Sequence, residues 1–441
     1  MRWFSATHAV LPDGVRANVA FGVRDGRIAE VRDARDAPDA APLGARGVVL
    51  PGLVDSHVHV NEPGRTQWEG FASATRAAAA GGITAIVDMP LNSIPAVTCV
   101  AALEAKRAAA RGRCHVDVAF WGGVVPGNAG ELAALAAAGV RGFKAFMSPS
   151  GVPEFAHVSV DDLARALPVI AGLDRPLLVH AELPRHLDAA VARLADADWT
   201  LPATWLLSRP ARAETDAIAA LAKLASDTQA RVHVVHVSSG EGAREVARAA
   251  RDGRVTGETC PHYLTFAVED IPFGATEYKC APPIRDAEER EELWQALLRG
   301  ELSLIASDHS PCPPELRRRD AGRFDRAWGG IASLELSLAV VHTGAAARGI
   351  GIERIVEWMS AAPARLAGLA GKGALAPGHD ADFVVFDPDA GWRVEEAALH
   401  QRHPLTPYAG RMLRGRVLET WLRGERVFPS AGLALPAGAM V

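Results

Sequence analysis

A chain of 441 residues with 49% hydrophobic content is long enough for one large packed domain and a smaller companion. A net charge of −5 and the lack of Lys/Arg tracts exclude a nucleic-acid or anionic-membrane surface as the main partner, and no run approaches the ~18 apolar residues of a membrane span. Met1 to Gly14 shows no apolar leader, and the five scattered cysteines (Cys99, Cys114, Cys260, Cys280, Cys312) form no C-x-x-C pair, so the expectation is a cytoplasmic protein with mostly free thiols.

In chain order, Asn18 to Val31 alternates as strand, Asp-Gly turn and strand, and the Ala/Asp/Pro-rich Asp33 to Gly47 predicts a loose surface loop. Eight short apolar runs follow: GLVDSHVHV from Gly52, GITAIVDMP from Gly82, VDVAFWGGV from Val116, GVRGFKAFM from Gly139, PLLVHAE from Pro176, VHVVHVSS from Val232, VTGETCPHY from Val255 and LSLIASDHS from Leu302. Helix-period segments such as AALEAKRAAARG from Ala101, ELAALAAAG from Glu131 and AEEREELWQALLRG from Ala287 separate them. Strands alternating with helices predict a parallel sheet, and eight repeats predict a TIM (β/α)8 barrel. ADFVVFDP and VLETWLRGERVF predict strands at the far end. The expected organisation is α/β, with residues 1–50 and 371–441 forming one small β-sandwich domain around a barrel at 51–370.

TIM-barrel chemistry collects at the C-terminal ends of the strands. There the sequence places His57 and His59 on the first strand, Lys144 in the apolar GFKAFM of the fourth, His180 on the fifth, His236 on the sixth and Asp308 on the eighth. Period-two alternation puts His57, His59 and Asn61 on one face, and two such imidazoles can share a cation. His233 and His236 are three apart and so face opposite ways; His236 is assigned inward and His233 to the helix side. Lys144 leaves two readings open. Its ammonium pairs with a neighbouring carboxylate, or CO2 converts it to a carbamate anion able to bridge two cations.

These runs, in this order, resemble the cyclic amidohydrolases of the amidohydrolase superfamily, a group that includes allantoinases, hydantoinases and dihydroorotases. The resemblance covers roughly residues 45 to 390 and ends in GKGALAPGHDADFVVFDP. It implies that His57, His59 and Asp308 bind one divalent metal, that His180 and His236 bind another, and that N6-carboxylated Lys144 bridges both. Zinc is the default, with cobalt, manganese or iron possible. It also implies that Asp308 is base and then acid in opening a cyclic amide, and that the assembly is a homotetramer or a dimer.

In dihydroorotases the position two after the His-x-His pair is typically an arginine that grips a carboxylate, and a histidine follows the metal-binding aspartate by four. Here those positions hold Asn61 and Cys312. The expected substrate is therefore a neutral cyclic ureide. NEPGRTQWEGF, VDMPLNSIP, FWGGVVPGN, KCAPPIR, SDHSPCPPE and AWGGIASLE look like allantoinases more than hydantoinases, which implies hydrolysis of allantoin to allantoate. Candidate substrate contacts are Asn61, Cys280, Ser310 and Trp328. His262 is read as a pocket-wall or structural group, and His309 as either assisting near the metal or orienting Asp308. The rivals are another neutral-ring hydrolase of the hydantoinase or dihydropyrimidinase kind, and a non-catalytic assembly subunit.

Overall fold

The computed structural model describes residues 1–44, 46–429 and 436–441. Its centre is a barrel of parallel strands at Leu53–Val58, Ile83–Asp88, Asp117–Phe120 continuing into Gly122–Gly123, Phe143–Phe146, Pro176–His180, Arg231–Val234, Val255–Thr259 and Leu304–Ile305. Each falls inside one of the eight apolar runs, except that the sixth strand begins one residue earlier, at Arg231. The helices at Val100–Ala110, Leu132–Ala137 and Ala287–Arg299 match the helix-period segments. Their ends follow local chemistry: Asp286 caps the N–H of Glu289, and Gly300 closes the same helix in the left-handed region.

Alternation along the strands sorts their side chains. Leu53, Ile86, Leu177, Val232 and Val234 join the core under the helices, while Val54, Ala85, Val87, Ala119, Leu178 and Val235 take the alternate positions and fill the barrel. The third strand breaks at Trp121, whose indole N–H donates to the Ser56 carbonyl at 2.8 Å. Closure of the ring falls to the very short last strand. Val58 bridges His309, the His59 N–H donates to the His309 carbonyl at 2.9 Å, and the buried Asp55 carboxylate accepts the N–H groups of His57 at 3.0 Å and Ser307 at 3.3 Å. Burial pushes Asp55 up to about 6 against those bonds.

Both ends of the chain meet in one mixed sheet. Its hydrogen-bonding order is Glu425–Phe428, Met412–Leu422, Phe383–Arg393, Val48–Pro51, Arg2–Leu11, Gly14–Arg24 and Arg27–Asp33, with Ala41–Pro42 beside Arg2–Leu11. Strands three apart in a flat sheet lie about 14 Å from one another. Yet the Phe4 and Trp421 rings are 5.4 Å apart and those of Phe21 and Phe383 5.2 Å, so the sheet folds over on itself as a two-layered sandwich with the aromatics between. Asp33 to Gly47 is less loose than its composition predicts. Phe4 and Ser5 pair with Ala41 and Pro42, and Leu43 is buried, because the edge of the first strand, itself not evident in the sequence pattern, was open to a partner.

Sandwich and barrel are joined by a buried ion cluster. Lys372 Nζ lies 2.6 Å from Asp117 at the start of the third barrel strand, 2.9 Å from Asp380 and 2.7 Å from Asp382, and Arg423 also reaches Asp117. These carboxylates raise the Lys372 ammonium above its ordinary value despite burial. Removing one partner of a buried pair leaves uncompensated charge. Lys372→Met should therefore lower the unfolding free energy by roughly 3–5 kcal/mol in urea denaturation; a loss below about 1 kcal/mol would contradict this role.

Candidate active site

The polar strand ends meet at the C-terminal mouth of the barrel. His57 Nε2 is 3.2 Å and His59 Nε2 3.4 Å from the same Asp308 oxygen, and one donor atom of each of the three lies within 4.8 Å of the others, the spacing of ligands around one cation. His180 Nδ1 and His236 Nε2 face each other at 3.1 Å, and the His57 and His236 rings are 5.5 Å apart. Lys144 is fully buried, its Nζ 4.8 Å over the Phe146 ring and without a hydrogen-bond partner among the described residues.

Electrostatics suit ligands that must be unprotonated. Burial pulls Lys144 down to about 7 in spite of Glu258 and Asp308, and pulls His59 down to about 4. His180 is lowered, and His236 lies well below its usual value, again chiefly through burial. Burial would raise Asp308, but the facing His57 and His59 imidazoles prevail and hold it well below the carboxylate range. His57 alone goes up, to about 9, because Asp308 and Glu258 outweigh its burial. A cation arriving here displaces the His57 proton. The imidazole and carboxylate donors, together with a buried lysine nitrogen and a His236 Nδ1 that lack partners among the described residues, fit a metal site.

Two carboxylates missed by the sequence reading orient the imidazoles. Glu258, on the seventh strand, accepts from His57 Nδ1 at 2.6 Å and His233 Nε2 at 3.0 Å. Glu182 lies 2.7 Å from His180 Nε2 and pairs with Arg209. The signal was present: each is a carboxylate at an apolar strand end, and partnering overcomes burial to hold both down to about 2. The assignment of His233 to the helix side is corrected. It alternates with outward Val232 and Val234, and bonds inward to Thr256 and Glu258. His236 reaches the site because the strand ends at Val234 and the chain turns at φ 42°.

The mouth opens into a 270 Å³ cavity lined by His57, His59, His180, His236 and Asp308 and by Asn92, Phe146, Ser150, Trp205, Arg209, Lys279, Ser310 and Trp328, among others. Ser310 and Trp328 thus stand in its wall. Asn61 and Cys280 are buried outside that lining. The shared-face argument for Asn61 fails because the strand ends at Val58; Asn61 adopts φ 67° and donates to the Pro311 carbonyl at 3.3 Å. Asn92, 3.5 Å from His59 Nδ1, is the asparagine that faces the cavity. His309 spends one nitrogen on Glu69 at 3.3 Å and the other on the N–H groups of Ser333 and Leu334, so it fixes the loop after Asp308. His262 is fully buried outside the cavity lining, with neither nitrogen partnered among the described residues.

Carboxylates that orient ligating histidines typically contribute 10- to 100-fold to metal affinity. Glu258→Ala and Glu182→Ala should each weaken metal retention by about that factor in competition with a chelator. Unchanged retention in both would deny them this part.

The family model described as amidohydrolase family matches residues 48–427. The chain is 50% identical to an allantoinase of Streptomyces avermitilis, over 99% of this chain and 97% of that one, and 42% identical to an allantoinase of Arabidopsis thaliana, over 97% and 88%. Among solved structures, the L-hydantoinase (dihydropyrimidinase) from Arthrobacter aurescens superposes with a TM-score of 0.90 at 30% identity, covering 99% of this chain and 96% of that one. No described helix is long and apolar enough to cross a membrane. A family match across most of the chain, on a barrel with histidines and an aspartate gathered at its mouth, establishes that this chain belongs to the amidohydrolase family.

Proposed function

We propose that this chain is an allantoinase, opening the hydantoin ring of allantoin by hydrolysis to allantoate. The observation that carries the reading is the 50% and 42% identity to allantoinases along nearly the whole chain, with a histidine, lysine or aspartate at each site position the chemistry needs. His57, His59 and Asp308 would hold one divalent cation, His180 and His236 a second, and N6-carboxylated Lys144 both. Support for the carbamate comes from the lysine itself: its amine is pulled toward neutrality, has no partner among the described residues, and stands among groups that a carbamate's oxygens would complement. Zinc is the first choice of metal, and the bound cations would polarise a carbonyl and bring a water's pKa toward about 7.

In this reading proton transfer falls to Asp308. Held as a carboxylate by two imidazoles, it accepts a proton from water as the new C–O bond forms, then gives it to the ring nitrogen as the C–N bond breaks. One water is consumed, and the product keeps the freed ureide and gains a carboxylate. Phe146, stacked on His180 at 4.8 Å, and Trp328, edge-on to Trp68 at 4.8 Å, provide apolar walls that limit water around the reacting amide.

A hydantoinase or dihydropyrimidinase reading draws support from the backbone likeness to the Arthrobacter aurescens enzyme. Turnover of allantoin, hydantoin and dihydrouracil separates the two. The proposal expects kcat/KM for allantoin to exceed the others by at least about tenfold; preference for either rival ring would replace it, and absence of turnover on all three by metal-loaded protein would favour a non-catalytic subunit. Chelation should abolish turnover and metal with bicarbonate restore it, whereas Lys144→Met should stay inactive under the same reloading.

A further inference from the structure

Lys279 is a buried cation of the cavity wall that the reaction does not use. It follows the seventh strand, is 7% exposed and lines the same cavity as the histidines and Asp308. Its Nζ donates to the Ala327 carbonyl at 2.6 Å and lies 4.2 Å over the Trp205 ring. That ring is fixed by its own N–H, which donates to the Cys280 carbonyl at 2.8 Å. The other cavity cation, Arg209, is satisfied by Glu182. No described carboxylate lies within 4.0 Å of Lys279 Nζ, so an ammonium with three donors is anchored through one of them beside the cavity.

Removing a lysine from water without an anion is costly, and such groups concentrate where a ligand supplies the missing acceptor. A ring amide placed at the His57, His59, His180, His236 and Asp308 end leaves its substituent to the remaining walls, which include Trp205, Arg209 and Lys279. We infer that Lys279, seated on Trp205, donates to the carbonyl oxygen of the substrate's exocyclic ureido group and so selects ureido-substituted hydantoins over bare rings. The inference rests on the allantoinase reading. Burial pulls the Lys279 ammonium down to about 7, with Arg209 adding to the effect, which suits a neutral carbonyl better than a carboxylate.

The experiment uses metal-loaded wild type, Lys279→Met and Lys279→Gln, the glutamine keeping a donor should the methionine variant fold poorly. Allantoin is followed as substrate, and unsubstituted hydantoin both as substrate and as competitive inhibitor. Losing a buried lysine donor and leaving the ureido oxygen unpaired predicts a fall of about 10- to 100-fold in kcat/KM for allantoin in Lys279→Met, a smaller fall in Lys279→Gln, and changes within about threefold for hydantoin by either measure, with metal content unchanged. Equal losses on both ligands, or no loss on allantoin, would overturn this inference and leave the proposed function standing. Wild type that does not hydrolyse allantoin would overturn both.

Discussion

Lys144 stands in an apolar strand with its amine sealed from water and no acceptor in reach among the described residues, and its charge lowers His59, His180 and His236 alike. An ammonium in that position is opposed by desolvation and by the wish of the surrounding imidazoles to bind cations. Conversion of the amine to an anion, as proposed, would resolve both conflicts at once, since it would give the histidines and Asp308 a common counter-charge to share through metal. The remaining features of the mouth follow from keeping this cluster dry and rigid. Glu258 and Glu182 fix imidazole tautomers, and Phe146 shields both Lys144 and His180.

Backbone geometry concentrates strain where the strands stop. Asn61, Asn92, His236 and Asp308 all adopt positive φ, between 42° and 67°, a region that non-glycine residues seldom enter. Each follows a barrel strand, and each turn redirects a side chain that alternation would have sent elsewhere. Closure by Asp55, Val58 and His309 makes this possible, because the last strand is too short to hold Asp308 in place by ladder bonds alone.

Much of this was legible in the residues. Eight apolar runs separated by helical patterns were enough for the barrel, because strand and helix periods differ. Lys144, His180 and Asp308 were conspicuous as polar groups at apolar strand ends. Less legible were the groups that act through another residue. Glu258 was hidden because its partner His57 lies far away in sequence, and the inward side of His233 was hidden because His236 lies past the strand end, so counting three residues back from it gave the wrong face. Arg2–Leu11 escaped notice although its partners, Gly14–Arg24, Ala41–Pro42 and Val48–Pro51, all lie in the N-terminal segment. Asn61 was set on the histidines' face by an alternation that stops at Val58 and named a substrate contact through its match to the dihydroorotase arginine, whereas the cavity-facing Asn92, on the next loop, carried no period to betray it.

The central claim is that Lys144 is carboxylated and shared by two cations. Its most direct measurement is the 13C resonance spectrum of protein prepared in 13C-bicarbonate, with metal quantified in the same active sample. The account predicts one carbamate signal and about two metal ions per chain, both absent from Lys144→Met. Full activity from a chain carrying an unmodified Lys144 and no more than about one metal would contradict it.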